Sequence, residues 1–385
     1  MDNLTHTLFG ATLERAVFNR TGRGTSATIL LASNAPDLDI VTSVGGGLNY
    51  LAWHRGPTHG PLGVLGLGAL CAVLVWLWYR LRSREPSSAS LSRLMLVGIA
   101  GVACHVLMDL PTSYGTRLLS PFDWRWYAVD LMPIIDLYLL AALAAGLIVG
   151  RRSPTLRQRA ALAALAFMIA NYAVRAVAHH RALGIARTAL ASTLPPPCAN
   201  MPKSGFVDRW PLDKGLTDTP AVRRERGATP CLVEVAAVPT FSSPMRWDAI
   251  ARASDSYWTL DLHVIRDHSS SAEGVAERFG GTLNARAGRP WQRAVRYPDV
   301  WTPAALDAAR GTLGRVFLDF SRFPATSSVL RADGSAAVGW TDLRFVGVPG
   351  SRPGPRRGLF SAVVIVGQHG DIQHEELGAE LAGDP

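Results

Sequence analysis

Four predominantly apolar runs, residues 62–79, 94–110, 131–149 and 160–177, follow one another in the first half of the chain. Each approaches the about 20 residues that a helix needs to cross a bilayer. The first run holds no charged residue, and the third has only Asp130 and Asp136 near its start. One such run is compatible with a buried core helix of a large soluble protein; four in succession predict a multipass membrane protein. After about Leu194 the sequence turns to Pro, Gly, Arg and Asp with short mixed strands, so the 48% hydrophobic content averages an apolar half with a polar one. The expected organisation is a mainly α membrane domain over residues 1–190, with about four transmembrane helices and N-terminal interfacial helices, then a small α+β or β-rich soluble domain over residues 191–385.

The net charge of +9 comes from scattered Arg rather than a basic helix, zinc finger or aromatic RNA-binding signature, so no nucleic-acid partner is expected. Arg80, Arg82, Arg84 and Arg93 lie between the first two runs, and Arg151, Arg152, Arg157 and Arg159 between the last two. The positive-inside rule assigns those loops to the cytoplasm of a bacterial inner membrane. The N-terminal segment and the C-terminal domain then lie on the extracytoplasmic side, although Arg15, Arg20, Arg23, Arg55, Arg175, Arg181 and Arg187 argue the other way. Residues 1–20 lack the marks of a cleavable signal, so the first helix is expected to stay in the mature protein. Cys71 and Cys104 read as small apolar fillers, whereas Cys198 and Cys231 are able to pair if their domain lies outside.

His105 and Asp109 sit inside the second apolar run, four residues apart and so on one helix face. An imidazole and a carboxylate placed in hydrocarbon are costly, which makes a shared metal ion their simplest explanation. Further candidates precede or end the runs: His6, Asp37 and Asp39 after Pro36, His54 and His59 before the first run, and Asp136 at the third. With antiparallel helices all of these reach one membrane face. The mixture of imidazole and carboxylate suits zinc, with manganese or iron as alternatives, and the ligand count allows one ion or two. His6, Asp37, His54, His59, His105 and Asp109 are the candidate metal ligands. Asp39 or Asp136 is the candidate general base or orienting carboxylate, and Arg55 and Arg117 are candidates for holding a phosphate.

Taken in order, Thr5-His6, Pro36-Asp37-Leu38-Asp39, His54-Arg55-Gly56-Pro57-Thr58-His59 and His105-x-x-x-Asp109 with Ser113-Tyr114-Gly115 resemble the membrane-bound metal-dependent hydrolases of YdjM type, LexA-regulated inner-membrane proteins. The likeness covers roughly residues 1–150, continuing through Leu118-Leu119-Ser120-Pro121-Phe122 to Ile135-Asp136. It implies a helical membrane domain with a metal-dependent hydrolytic site, and the His-x-x-x-Asp element is also similar to one in the all-helical zinc phospholipase C group. Gly60 departs from the pattern, since Ser often follows the second His; the departure implies the loss of a hydroxyl near substrate.

The combined expectation is a metal-dependent hydrolase using a metal-activated water on a phosphoester at lipid-headgroup depth, with a membrane lipid or lipid-linked substrate as partner. A proton- or ion-coupled transporter, or a scaffold or sensor with a structural metal, are the rival readings. Protein partners are left open. In the C-terminal half, strands are expected at residues 232–238, 258–265, 315–320, 336–345 and 359–366, with a helix over 302–313. His263, His268, His369 and His374 have no ligand spacing and read as surface or sheet residues.

Overall fold

The computed structural model describes residues 1–82, 89–151, 153–191, 193–199, 206–211, 229–267, 294–346 and 360–381. Contacts divide it into one unit of Met1–Val44 with Trp53–Ala176 and a second of Gly45–Ala52 with Val177–Pro385.

The first unit is helical. α1 (Asn3–Leu13) is capped by Asp2, whose carboxylate accepts from Thr5 N at 3.0 Å. α2 (Thr25–Ala32) ends just before Pro36, which opens the 3₁₀ segment Pro36–Gly45. α3 (Gly47–Trp53), which falls almost wholly in the second unit, precedes α4 (Pro61–Arg82) and α5 (Leu91–Asp109) in the chain. α6 (Leu137–Val149) and α7 (Pro154–Leu190) complete the helical set.

Among the described residues, α4, α5 and α7 are long and apolar enough to cross a membrane. α4 turns Leu62, Leu65, Leu70, Leu74 and Trp78 outward, an apolar surface that suits lipid and not water. The third apolar run forms a shorter helix than expected: α6 has 13 residues, about 20 Å of rise against a hydrocarbon core of about 30 Å. Residues at the start of that apolar run are used otherwise. Leu131 N and Met132 N both donate to Pro111 O, their side chains enter the core with Leu139 and Leu143, and Asp136 caps α6 by accepting from Leu139 N.

α4 and α5 touch backbone to backbone. A Cβ at Gly98 would fall on the Gly68 carbonyl, and one at Gly68 on the Ile99 backbone. Small residues allow such close approach where water-driven association is absent. Gly98→Leu is therefore expected to lose at least about 2 kcal/mol of stability, since backbone cannot step aside. Thermal denaturation in detergent checks this; an unchanged midpoint would show that the helices part without cost.

The second unit carries two antiparallel meanders. One runs β1 (Leu232–Pro239), β2 (Arg246–Ala253), β3 (Ser256–His263) and β4 (Val295–Pro298); the other runs β5 (Pro324–Leu330), β6 (Ala336–Asp342), β7 (Ser361–Val366) and β8 (Ile372–Leu377). Between them stand α8 (Pro303–Arg310), capped by Thr302, and α9 (Thr312–Phe320). The strand expected at residues 315–320 is thus a helix. Leu313, Phe317 and Phe320, spaced i, i+4, i+7, are the buried face that overrides a local β reading. Cys198 and Cys231 form a disulfide with a Cα separation of 4.9 Å. His374 is exposed beside Glu376, and His268 lies outside the described residues.

Asp248 faces Asp261 across β2 and β3. Burial, then the Asp261 charge, push the Asp248 carboxyl up to about 6, with Arg246 opposing. Between the unfolded value of 3.8 and about 6, the folded domain keeps a proton that the unfolded chain has released, so stability falls as pH rises through that window. Asp248→Asn should stabilise the domain at pH 8, by at most about 3 kcal/mol, and give no advantage at pH 4. Denaturation followed at both pH values reads the difference; an equal effect at both removes the assigned proton.

Candidate metal centre

The centre forms where α4 begins and α5 ends. Asp37 Oδ1, His59 Nε2, His105 Nε2 and Asp109 Oδ2 come from three separate stretches of sequence, the last two from one face of α5, and all lie within 4.8 Å of one another. His59 Nε2 and His105 Nε2 each stand 3.3 Å from Asp109 Oδ2, and they stand 3.8 and 3.5 Å from Asp37 Oδ1. Ligands held tetrahedrally at about 2.0–2.2 Å from zinc are roughly 3.3–3.6 Å apart. The cluster therefore has the size of a zinc site.

Its polar atoms are aimed at that common point. His59 Nε2, His105 Nε2 and Asp109 Oδ2 are buried and make no hydrogen bond. An orphaned buried polar atom is costly, and three converging on one position fit a cation held among them. His105 Nδ1 lies 2.8 Å from the Ser33 carbonyl, which only accepts, so the proton is on Nδ1 and the Nε2 lone pair faces the cluster. His59 Nδ1 is 3.0 Å from Thr58 Oγ1. Burial, reinforced by His105 and Arg55, holds His59 well below the ordinary histidine range. Burial raises Asp37, but the neighbouring His105 and the charge of Arg55 outweigh it and leave the carboxyl lowered. Neutral imidazole and ionised carboxylate are the forms that bind metal.

Asp109 is shared. Its Oδ1 accepts from Arg55 Nη2 at 3.1 Å, lies 3.4 Å from His6 Nε2, and is in ion-pair contact with the Met1 amine. Arg55 is buried with φ at 51°, a left-handed conformation unusual outside glycine. It is held from both ends: its N–H donates to Asp39 Oδ2 at 2.7 Å, and Nη1 donates to Gly115 O at 2.9 Å while the guanidinium covers the Tyr114 ring.

Of the six ligands expected from sequence, Asp37, His59, His105 and Asp109 are brought together. His6 stacks on the His105 ring at 3.8 Å and reaches the other oxygen of Asp109. His54 is directed elsewhere, its Nδ1 lying 3.1 Å from both oxygens of Asp39. Asp39 thus organises the His54-Arg55 turn and stays 4.0 Å from His59 Nδ1. Asp136, the other candidate base, is ion-paired with Arg175 at 2.5 Å. Arg117 lies between the Trp124 and Trp126 rings, at 4.6 and 4.4 Å, and donates to Trp124 O. Gly60 has a packing reason: a Cβ there would fall on the Ser120 carbonyl. Sequence reasoning missed Ser33, whose contribution is a backbone carbonyl and leaves no side-chain signal. It also missed Arg175 as the partner of Asp136, although an arginine inside an apolar run is such a signal.

These features define a helical membrane protein with a buried His/Asp centre suited to a divalent metal. Residues 1–182 match the YdjM inner membrane protein family, which bears out the resemblance carried by the motifs. The chain is also 30% identical over 156 residues to the "Uncharacterized protein YfhP" of Bacillus subtilis (strain 168), a match covering 37% of this chain and 46% of that protein. The chain thus spans about half the length of this curated relative. No solved structure gives a significant match.

Proposed function

We propose that the helical region is a metal-dependent hydrolase of the inner membrane, acting on a phosphoester of a lipid or lipid-linked substrate. The observation that carries the reading is the convergence of three orphaned buried ligand atoms with Asp37, the one ligand whose side chain is partly exposed, at 13%. A divalent ion bound there supplies Lewis acidity and acidifies water near neutral pH. Asp37 marks the side from which water and substrate enter. His105 is locked in its ligand tautomer by Ser33, and Arg55 balances the charge of Asp109. Leu4, Leu38, Ile40, Leu62 and Leu107, each close in sequence to a ligand, are exposed, which supports a centre at the edge of the hydrocarbon and a lipid as substrate. Arg80, Arg82, Arg93, Arg151 and Arg157 belong to the opposite helix ends, and the Cys198–Cys231 disulfide belongs to an oxidising compartment; both support an extracytoplasmic centre. A C-terminal reporter active only inside the cytoplasm would reverse that orientation.

A second reading has its own support: four protein ligands close a tetrahedral ion, as structural sites do, whereas catalytic zinc keeps a position open. Zinc-loaded protein in liposomes, assayed for phosphate or headgroup release, separates the two. Hydrolysis lost in His59→Ala, with the fold retained, supports the hydrolase; zinc that stabilises the protein while no phosphoester is cleaved supports the structural metal.

A further inference from the structure

The 3₁₀ segment Pro36–Gly45 delivers a metal ligand and shows an apolar stripe to the outside. In a 3₁₀ helix, with three residues per turn, side chains at i and i+3 lie one above the other. Leu38, Val41 and Val44 follow that spacing along the segment. They are 65%, 67% and 89% exposed, and Ile40 beside them is exposed as well. The other side of the segment is polar. Asp39 accepts from the Arg55 N–H, Thr42 Oγ1 donates to Asp39 O, and Asp37 joins the cluster. The segment's two charged side chains are thus engaged within the helical unit, and the stripe itself carries no charge.

The depth of the stripe is set within the first unit, which holds all of Leu38, Val41 and Val44. Asp37 Oδ1 lies 3.8 Å from Nε2 of His59, two residues before α4, and 3.5 Å from Nε2 of His105, one turn inside the end of α5. Both helices are long and apolar enough to cross a bilayer. The segment is thereby tied to the boundary that both spans reach. Leu62 and Leu65 at the start of α4, and Leu107 near the end of α5, are exposed at that same depth. A row of aliphatic side chains there suits acyl chains and not water.

We infer that Pro36–Gly45 is an in-plane lipid anchor: Leu38, Val41 and Val44 insert among the acyl chains at the boundary reached by α4 and α5, and this insertion holds Asp37 in the metal centre. Interfacial helices bury an apolar face in this way while their polar face stays out of the hydrocarbon. Asp37 and Leu38 are neighbours in sequence, so the carboxylate that faces the metal and the stripe that enters lipid move as one piece. Metal affinity then depends on contact with the bilayer, which makes the bilayer a regulator of the centre. Lipid is favoured over a protein partner because the stripe lies at the depth of the spans' own lipid-facing residues. The inference rests on the metal centre and not on hydrolysis of a phosphoester.

The test uses the full chain in lipid nanodiscs, with Cys71→Ala and Cys104→Ala as background and a fluorophore on Val41→Cys or Val44→Cys. Leu70→Cys, at an exposed position midway along the spanning α4, is the reference for lipid contact. The expected result at Val41 and Val44 is the one at Leu70, quenching by brominated lipid and protection from aqueous iodide. Quenching by iodide and not by brominated lipid overturns the anchor. Protection from both also overturns it, by pointing to a protein contact. Zinc affinity, measured by chelator competition in the same nanodiscs, tests the coupling to Asp37. Leu38→Ser, Val41→Ser and Val44→Ser together are expected to weaken zinc binding by about 10-fold or more, the loss that follows removal of the support behind a ligand. The same three positions changed to methionine should retain it, and both sets alter exposed side chains only, so the helices are spared. Wild-type affinity in the serine variant, or an equal loss in the methionine variant, overturns the coupling.

Discussion

Alanine at His105 is expected to weaken zinc binding by more than about 100-fold, beyond the 10–100-fold that follows loss of a residue supporting a ligand. The side chain supplies one of four converging atoms, and no neighbouring group is placed to substitute, since His6 faces Asp109 Oδ1 and His54 faces Asp39. Asp109→Ala should match that loss and also destabilise the fold, because it removes the carboxylate paired with the buried Arg55 guanidinium. His54→Ala should cost far less, since its Nδ1 is directed to Asp39 beside the Arg55 turn. Chelator competition titrations on the detergent-solubilised proteins rank the three. Equal affinity in His105→Ala and wild type would remove the assigned cluster.

The second large effect concerns Arg175 and Asp136, both wholly buried and ion-paired between α7 and the start of α6. Arg175→Met leaves a carboxylate without its counter-charge in a low-dielectric setting, a loss of about 3–5 kcal/mol. Pairing it with Asp136→Asn removes the stranded charge, and Asn still accepts from Leu139 N as a helix cap. The double variant should therefore recover most of the stability, within about 1 kcal/mol of wild type, and bind zinc as wild type does. Denaturation midpoints of the single and double variants measure the coupling. Recovered stability with lost activity would instead give Asp136 a part in the chemistry.

The candidate site was legible in outline because its ligands are costly where they stand. His105 and Asp109 inside an apolar run call for a partner, and antiparallel α4 and α5 bring His59 to them. The division of labour within each pair was not legible. Asp37 and Asp39 flank one residue, yet the 3₁₀ geometry sends Asp37 to the cluster and Asp39 to the His54-Arg55 turn. Likewise His54 and His59 differ through a turn whose left-handed Arg55 has no sequence marker. The third apolar run is helical only from Leu137, and hydropathy does not distinguish Leu131 and Met132, bonded to Pro111 in a buried loop, from residues of a spanning helix. In the second unit the apolar spacing of α9 matched strand and helix over a short window, and only its seal against the core decided.

The most direct test of the metal centre is zinc K-edge X-ray absorption on the purified, zinc-loaded protein. The account predicts one tightly bound zinc with four nitrogen or oxygen neighbours at about 2.0–2.1 Å, outer scattering from two imidazoles, and no sulfur. A shell containing sulfur, or a spectrum of hydrated zinc without imidazole scattering, would contradict the assignment of Asp37, His59, His105 and Asp109.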